Sequence, residues 1–370
     1  MSNLSAESPQ WWAGIGLAAM VSVAAGFSAI WVGESLLGFD SSPVSAIMMA
    51  IIIGMILANT VTWPESMVDG LRFCASTILR IGIMLLGIRL SLLAAGRFTL
   101  VALPFVIAAI AVGLTVVALF GRKLGLSRQL SGLIAVGTAI CGCTAIVATA
   151  PLIRANEAEV SYSIACITVF GLAAMFLYPF IAYAIFADQP ALAGLFLGTS
   201  IHETAQVAGA ALMYQSQYDA PLALDIATVT KLVRNLCMIA IIPLVGVLYA
   251  TERGATRPTG IGAWLRMVPW FIVGFAVMSA VRTFGDASDR PFGLLSTEEW
   301  RSVTEVVQTL AEYCLLIAMA AIGLTSTFAG IRRIGPRPFV LGMFAAALVG
   351  GLSLMLIVIF GGSMMELVGV

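Results

Sequence analysis

Residues 198–209 read GTSIHETAQVAG and hold His202, the only histidine in the 370-residue chain, with Glu203 beside it. A His-Glu pair on a helix suggests the H-E-x-x-H zinc signature, in which two histidines one turn apart hold the metal. Position 206 is Gln206, so the second ligand is missing and that site is excluded. What remains is a histidine and an acid inside an apolar run. Their meaning depends on the solvent around the chain.

Composition answers that question. The chain is 60% hydrophobic and 10% charged, with a mean hydropathy of +1.03. A soluble domain carries about 25% charged residues to coat its surface. The shortfall points to lipid, and therefore to an all-α polytopic membrane protein, because an open sheet leaves edge groups unsatisfied in a bilayer. Formal net charge is zero, which gives no footprint of nucleic-acid binding. Apolar runs long enough to span predict eleven helices at roughly 11–32, 43–61, 72–95, 98–121, 129–150, 158–186, 190–212, 222–249, 261–283, 302–328 and 338–361. The first run has no basic segment before it and is too long for a signal peptide, so it reads as an extra N-terminal span.

Basic residues set the expected orientation. Arg122, Lys123 and Arg128 share one loop, Arg253, Arg257 and Arg266 a second, and Arg332, Arg333 and Arg337 a third. With eleven spans all three loops fall on one side, which the positive-inside rule makes cytoplasmic. The N-terminus is then inside and the C-terminus outside. Residues 1–370 form one membrane unit, with 11–32 preceding two halves, 43–186 and 190–361. Residues 132–148 (GLIAVGTAICGCTAIVA) and 194–209 (GLFLGTSIHETAQVAG) share Gly-Thr-x-Ile and a following Thr-Ala-x-Val-Ala with one gap. Residues 315–330 are loosely similar to the first of these. Small-residue packing between helices is the competing reading of the likeness.

Polar residues inside spans cost free energy and mark function by default. The eighth span holds Asp225, Thr228, Thr230, Lys231, Arg234 and Asn235. At about 100° per residue Thr228, Lys231 and Asn235 share a face, with Arg234 roughly 60° round. Two cations and several donors in one region suit a small anion stripped of water. A structural charge network, with Asp225 or Glu203 neutralising a cation, is the plainer alternative. Thr199, Glu203 and Gln206 fall on one helical stripe with His202 at its edge. Either His202 or Glu203 is placed to carry a coupling proton, or they are structural partners. In GTAICGCTA, Gly137, Thr138, Cys141, Gly142, Cys143 and Thr144 predict a broken helix, since glycine weakens a helix and transporters place such breaks at the midplane. The alternative there is tight packing. Arg89 is expected to snorkel to the interface, Arg80 has no such excuse, and Glu305 and Glu312 read as a wet surface.

The remaining chemistry is negative. The six cysteines all lie in apolar segments and behave as small hydrophobes. The Cys141–Cys143 pair lacks the further ligands a metal needs. No metal, cofactor or catalytic set is expected, so an enzyme is not. No phosphate-binding loop is present, so direct drive by ATP is not expected.

At GTAICGCTAIVATAP, GTSIHETAQVAGA and TKLVRN the chain resembles the family named for sulfate export, a group of bacterial inner-membrane proteins. The resemblance runs from about the second span onward. That family is placed with the cation–proton antiporters and the bile-acid, auxin and organic-anion transporters. The placement implies two inverted five-helix repeats, discontinuous helices crossing in the fifth and tenth spans, elevator-type alternating access and often a homodimer. It also puts His202 in a helix that is often part of the scaffold, whereas the match between the fifth and seventh spans argues that His202 lines the site. The expected activity is secondary transport of a small anion, a sulfur oxyanion first and a carboxylate second, coupled to protons or sodium. Lys231, Arg234, Asn235, Thr228, Thr138, Thr144, Thr199 and the Cys141–Gly142–Cys143 turn would bind it. His202, Glu203, Gln206 and Asp225 would couple it. A monovalent cation–proton antiporter is the alternative, and an anion channel ranks below both.

Overall fold

A computed structural model describes residues 9–36, 45–249, 268–288, 290–327 and 335–369. Every regular element among them is helical. The basic residues Arg253, Arg257, Arg266, Arg332 and Arg333 lie outside the described residues, as does the start of the expected ninth span. Among the described residues seven helices are long and apolar enough to cross a membrane, namely Pro9–Leu36, Glu65–Arg89, Leu92–Lys123, Glu157–Phe186, Pro221–Tyr249, Thr297–Thr325 and Pro336–Val368. The other expected spans hold shorter apolar helices, among them Ala46–Thr60, Pro190–Ser200 and Trp270–Gly285. Large apolar side chains stand exposed along the long helices, for example Leu93, Leu100 and Ile107 on one and Val358, Ile359 and Phe360 on another. Such faces are costly in water and ordinary in lipid.

The chain divides into two compact units, each drawing on both halves of the sequence. The first comprises Met1–Leu92, Leu212–Ala220 and Phe271–Phe328. It contains α1 (Pro9–Ile30), α2 (Ala46–Thr60), α3 (Glu65–Phe73) and α4 (Leu79–Leu85). Small residues let these helices approach closely. A Cβ on Gly14 of α1 would fall 2.2 Å from the Met67 carbonyl oxygen of α3, and Gly70 meets Trp11 in the same way.

The second unit comprises Leu93–Ala211, Pro221–Trp270 and Ala329–Val370. Its helices are α5 (Leu92–Lys123), α6 (Arg128–Ala139), α7 (Cys143–Thr149), α8 (Glu157–Phe186), α9 (Pro190–Ser200), the first turns of α10 (Thr204–Tyr218), α11 (Pro221–Leu236) and α12 (Met238–Tyr249). The first unit also takes α13 (Trp270–Gly285) and α14 (Thr297–Thr325), and the second takes α15 (Pro336–Val368). In the first unit α2 packs on α14 through Gly54 and Gly323. In the second, α9 lies against α11, where Gly194 meets Ala223 and Gly198 meets Thr230. That close approach brings the polar face of α11 to the end of α9.

Among the described residues of the second unit, two apolar runs leave helical geometry at polar motifs. The predicted break in the fifth span separates α6 from α7. A second break separates α9 from α10 within the expected seventh span. The tenth span, where the family resemblance placed the other discontinuity, is the continuous α14.

Candidate functional site

The first break has a local cause. Ile140 leaves the helical region at φ −117°, ψ −97°, and Gly142 sits at φ 71°, ψ −128°. That conformation is open to glycine and strained for any other residue. Gly142 also lies against the second break, because a Cβ there would come 3.2 Å from the Cβ of Glu203. The second break has no glycine or proline within it. Ile201 turns extended at φ −81°, ψ 139°, and its cause is found on another helix.

A helix that ends in a dry interior must dispose of its last carbonyls. In α6, Val136 O accepts from Ile140 N–H at 3.0 Å and Gly137 O from Gly142 N–H at 3.0 Å. Arg234 of α11 takes the next two, donating to Thr138 O and, from Nε at 2.8 Å, to Ala139 O. Lys231 Nζ donates to Ile140 O at 3.2 Å. The end of α9 is closed by the same two side chains. Arg234 donates from Nη1 to Thr199 O at 2.8 Å and Ile201 O at 3.1 Å. Lys231 donates to Ile201 O at 3.0 Å and to His202 O. Equivalent positions of the two Gly-Thr-x-Ile motifs therefore meet the same cation: Thr138 and Thr199 meet Arg234, Ile140 and Ile201 meet Lys231.

Arg234 is 0% exposed and Lys231 1%, so water does not serve their donors. All three ammonium protons of Lys231 go to backbone oxygens. No ion pair recorded among the described residues joins Glu203 to Lys231 or Arg234, although Glu203 is within electrostatic reach of Lys231. In place of an ion pair with Glu203, backbone carbonyls take the hydrogen bonds of both cations. These satisfy the hydrogen bonds and leave the formal charges in place.

The remaining predicted residues divide into three groups. Thr138 and Thr199 spend their hydroxyl protons inside their own helices, on Ile134 O at 2.8 Å and Leu195 O at 2.7 Å. Cys141 donates to the Met238 sulfur at 3.6 Å. Buried but unpartnered are both ring nitrogens of His202, Gln206 Oε1, Thr228 Oγ1 and Asn235 Oδ1. Asn235 Nδ2 reaches Thr204 Oγ1 at 3.0 Å, at the start of α10. Half-buried at the edge are Glu203 and Cys143. The Cys143 thiol lies 3.8 Å from Thr168 Oγ1. Thr144 is exposed, and Asp225 is half-buried toward the start of α11. The expected stripe of Thr199, Glu203 and Gln206 does not exist as one helical face, because the break falls between its first member and the other two.

Sequence reasoning missed Thr168, Thr204 and Gly171. Thr168 O accepts from Gln206 Nε2 at 3.3 Å. A Cβ on Gly171 would lie 2.0 Å from Gln206 Oε1, so this glycine makes room for the glutamine side chain. The only trace in the sequence is a glycine within the apolar run of α8. Arg89 pairs with Glu312 at 3.4 Å in the first unit. No group of three or more His, Cys, Asp or Glu side chains able to hold a metal occurs among the described residues.

The chain is similar to several bacterial membrane proteins over most of its length. A family model described as conserved hypothetical protein 698 matches residues 14–342. A UPF0324 membrane protein of Bacillus cereus is 30% identical over 354 residues, covering 94% of each chain. The UPF0324 inner membrane protein YeiH of Salmonella typhi is 29% identical, covering 87% of this chain and 88% of its own. A UPF0324 membrane protein of Bdellovibrio bacteriovorus is 32% identical, covering 80% and 83%. With its span-length apolar helices, the chain belongs to the UPF0324 family of membrane proteins.

Proposed function

We propose that the chain is a secondary transporter of a small anion in a bacterial inner membrane. A sulfur oxyanion such as sulfate is the favoured substrate, a carboxylate the second, and a proton the coupling ion. The observation that carries this reading is the pair of helix breaks closed on one buried Lys231–Arg234 pair. Buried cations whose hydrogen bonds end on neutral carbonyls keep an uncompensated charge, and such charge is costly in a low-dielectric interior. A small anion relieves that cost.

The charges also suggest the coupling. Two cations face one nearby carboxyl, Glu203. With Glu203 ionised, one positive charge is left over. With Glu203 protonated, two are left, and one dianion balances them. A divalent oxyanion and a proton therefore favour each other at this site. Glu203 is the better proton carrier than His202, because it is half-buried at the edge while the imidazole is enclosed. The alternative of a cation–proton antiporter fits poorly with two cations and one acid.

The test is uptake of labelled anions (sulfate, sulfite, thiosulfate, sulfonates and carboxylates) into proteoliposomes across a pH series. Glu203→Gln is expected to flatten the pH profile while His202→Gln keeps it. A wild-type profile in Glu203→Gln refutes the coupling role, and an absence of uptake for every anion on the panel refutes the substrate class.

A further inference from the structure

One end of the second unit carries a cationic surface, distinct from the helix breaks. Arg128 and the first break stand at opposite ends of α6, roughly 17 Å apart at about 1.5 Å per residue. At this end α5 finishes in Arg122 and Lys123, α12 finishes in Tyr249, and α8 and α15 begin. A small residue draws three of the helices together. A Cβ on Gly121 of α5 would fall 2.5 Å from Ser131 Oγ of α6 and 2.8 Å from the Leu341 side chain of α15. Within one turn toward the end, these three helices present Arg122 and Lys123, Arg128, and Arg337. Arg337 also reaches the turn after α5. Its Nη1 lies 3.5 Å from where a Cβ on Gly125 would stand.

Arg128 is anchored, donating from Nη2 to Leu248 O at 2.6 Å and lying 4.7 Å from the centre of the Tyr249 ring. The other cations are open. Arg122, Lys123 and Arg337 are exposed, and no ion pair recorded among the described residues involves them. Two acids stand on the first turn of α8, Glu157 and Glu159. Glu159 is engaged at helix starts, accepting from Asn156 N–H at 2.9 Å and from Ser127 Oγ. The surface therefore keeps a positive balance. Beneath the cations the same helix faces turn apolar. Leu119 lies one turn from Arg122 and Lys123, and Val340 one turn from Arg337. Both stand exposed, as does Met343.

We propose that this surface binds an anionic phospholipid. Arg122, Lys123 and Arg337 hold its phosphate, and an acyl chain lies on Leu119, Val340 and Met343. Basic clusters where spanning helices end attract anionic headgroups, and guanidinium forks match phosphate oxygens. The apolar strip selects a lipid over a soluble phosphate, which has no chain to cover it. The unpaired cations select an anionic head over a zwitterionic one, whose own ammonium opposes them.

The test is native mass spectrometry of the full-length protein titrated with dioleoylphosphatidylglycerol. Dioleoylphosphatidylcholine, with the same chains and a zwitterionic head, and glycerol 3-phosphate, the soluble head alone, serve as comparisons. Retention of the phosphatidylglycerol is expected to exceed that of both. It is expected to fall by at least about tenfold in Arg122→Gln/Lys123→Gln/Arg337→Gln, from the loss of three interfacial charges. Arg72→Gln/Arg97→Gln/Arg301→Gln removes as many charges elsewhere and is expected to keep it. All six side chains are exposed, so both variants retain the packed interior. Equal retention of the phosphatidylcholine, equally tight binding of glycerol 3-phosphate, undiminished retention in the first variant, or an equal fall in the second overturns the proposal.

Discussion

Replacing Lys231 by methionine separates a clamp from a ligand. The substitution keeps the length of the side chain and removes its charge and three donors. Each hydrogen bond from a charged donor contributes about 1.5–3 kcal/mol, so bonds to Ile140 O, Ile201 O and His202 O represent roughly 5–9 kcal/mol of lost interaction. Removing the ammonium also relieves a desolvation cost of several kcal/mol. The expected net loss is about 3–5 kcal/mol, because the Ile140 and His202 carbonyls are left buried without this donor at about 1–3 kcal/mol each, while Ile201 O keeps Arg234. At about 1.4 kcal/mol per tenfold this is at least a hundredfold shift in the folding equilibrium. Equilibrium unfolding in mixed micelles, followed by circular dichroism, measures it. Because Ile201 O is shared with Arg234, the Lys231→Met/Arg234→Met double variant is expected to be non-additive. An unfolding midpoint equal to wild type, together with lost anion binding, would refute the clamp and make Lys231 a direct ligand.

Two further substitutions probe the breaks from the glycine side. Gly142→Ala places a side chain at φ 71° and against Glu203, so a loss of about 1–3 kcal/mol is expected from strain alone. The same unfolding titration reads it, and stability equal to wild type would show that the turn relaxes. Gly171→Val occupies the space of the Gln206 amide and is expected to break its bond to Thr168. Transport should fall, and transport equal to wild type would remove Gln206 from the site.

The helical membrane class was legible because composition and apolar run length report the solvent directly. The first break was legible because its cause is local: Gly142 provides a backbone conformation few residues tolerate. The buried charge on α11 was also readable, since Lys231, Arg234 and Asn235 stand out in an apolar run. The second break was not assigned by the family resemblance, which pointed to the tenth span. Nothing within Ile201–Glu203 breaks a helix. Lys231 of α11, some 30 residues away, captures the Ile201 and His202 carbonyls and holds that turn open, and a local reading carries no signal for it. The stripe of Thr199, Glu203 and Gln206 failed for the same reason. The Arg89–Glu312 pair was not legible because its members are 223 residues apart in sequence.

The matched contacts bear on the likeness between the two motifs. Small-residue packing alone would explain shared glycine and threonine, but it would not send Thr138 O and Thr199 O to one guanidinium and Ile140 O and Ile201 O to one ammonium. The shared Gly-Thr-x-Ile is thus a backbone device: two helix ends shaped to surrender equivalent carbonyls to common cations. Just after it the motifs diverge. The first continues Cys141–Gly142, the second His202–Glu203. Their ends meet where Gly142 lacks a side chain and Glu203 has one, with a Cβ on the former only 3.2 Å from the Cβ of the latter. One motif makes room for the carboxyl of the other, so the site has one acid rather than two. A symmetric pair of acids would cancel Lys231 and Arg234 and leave an anion no charge to meet. On the proposed reading, Gly142 therefore preserves the positive balance that makes anion binding favourable.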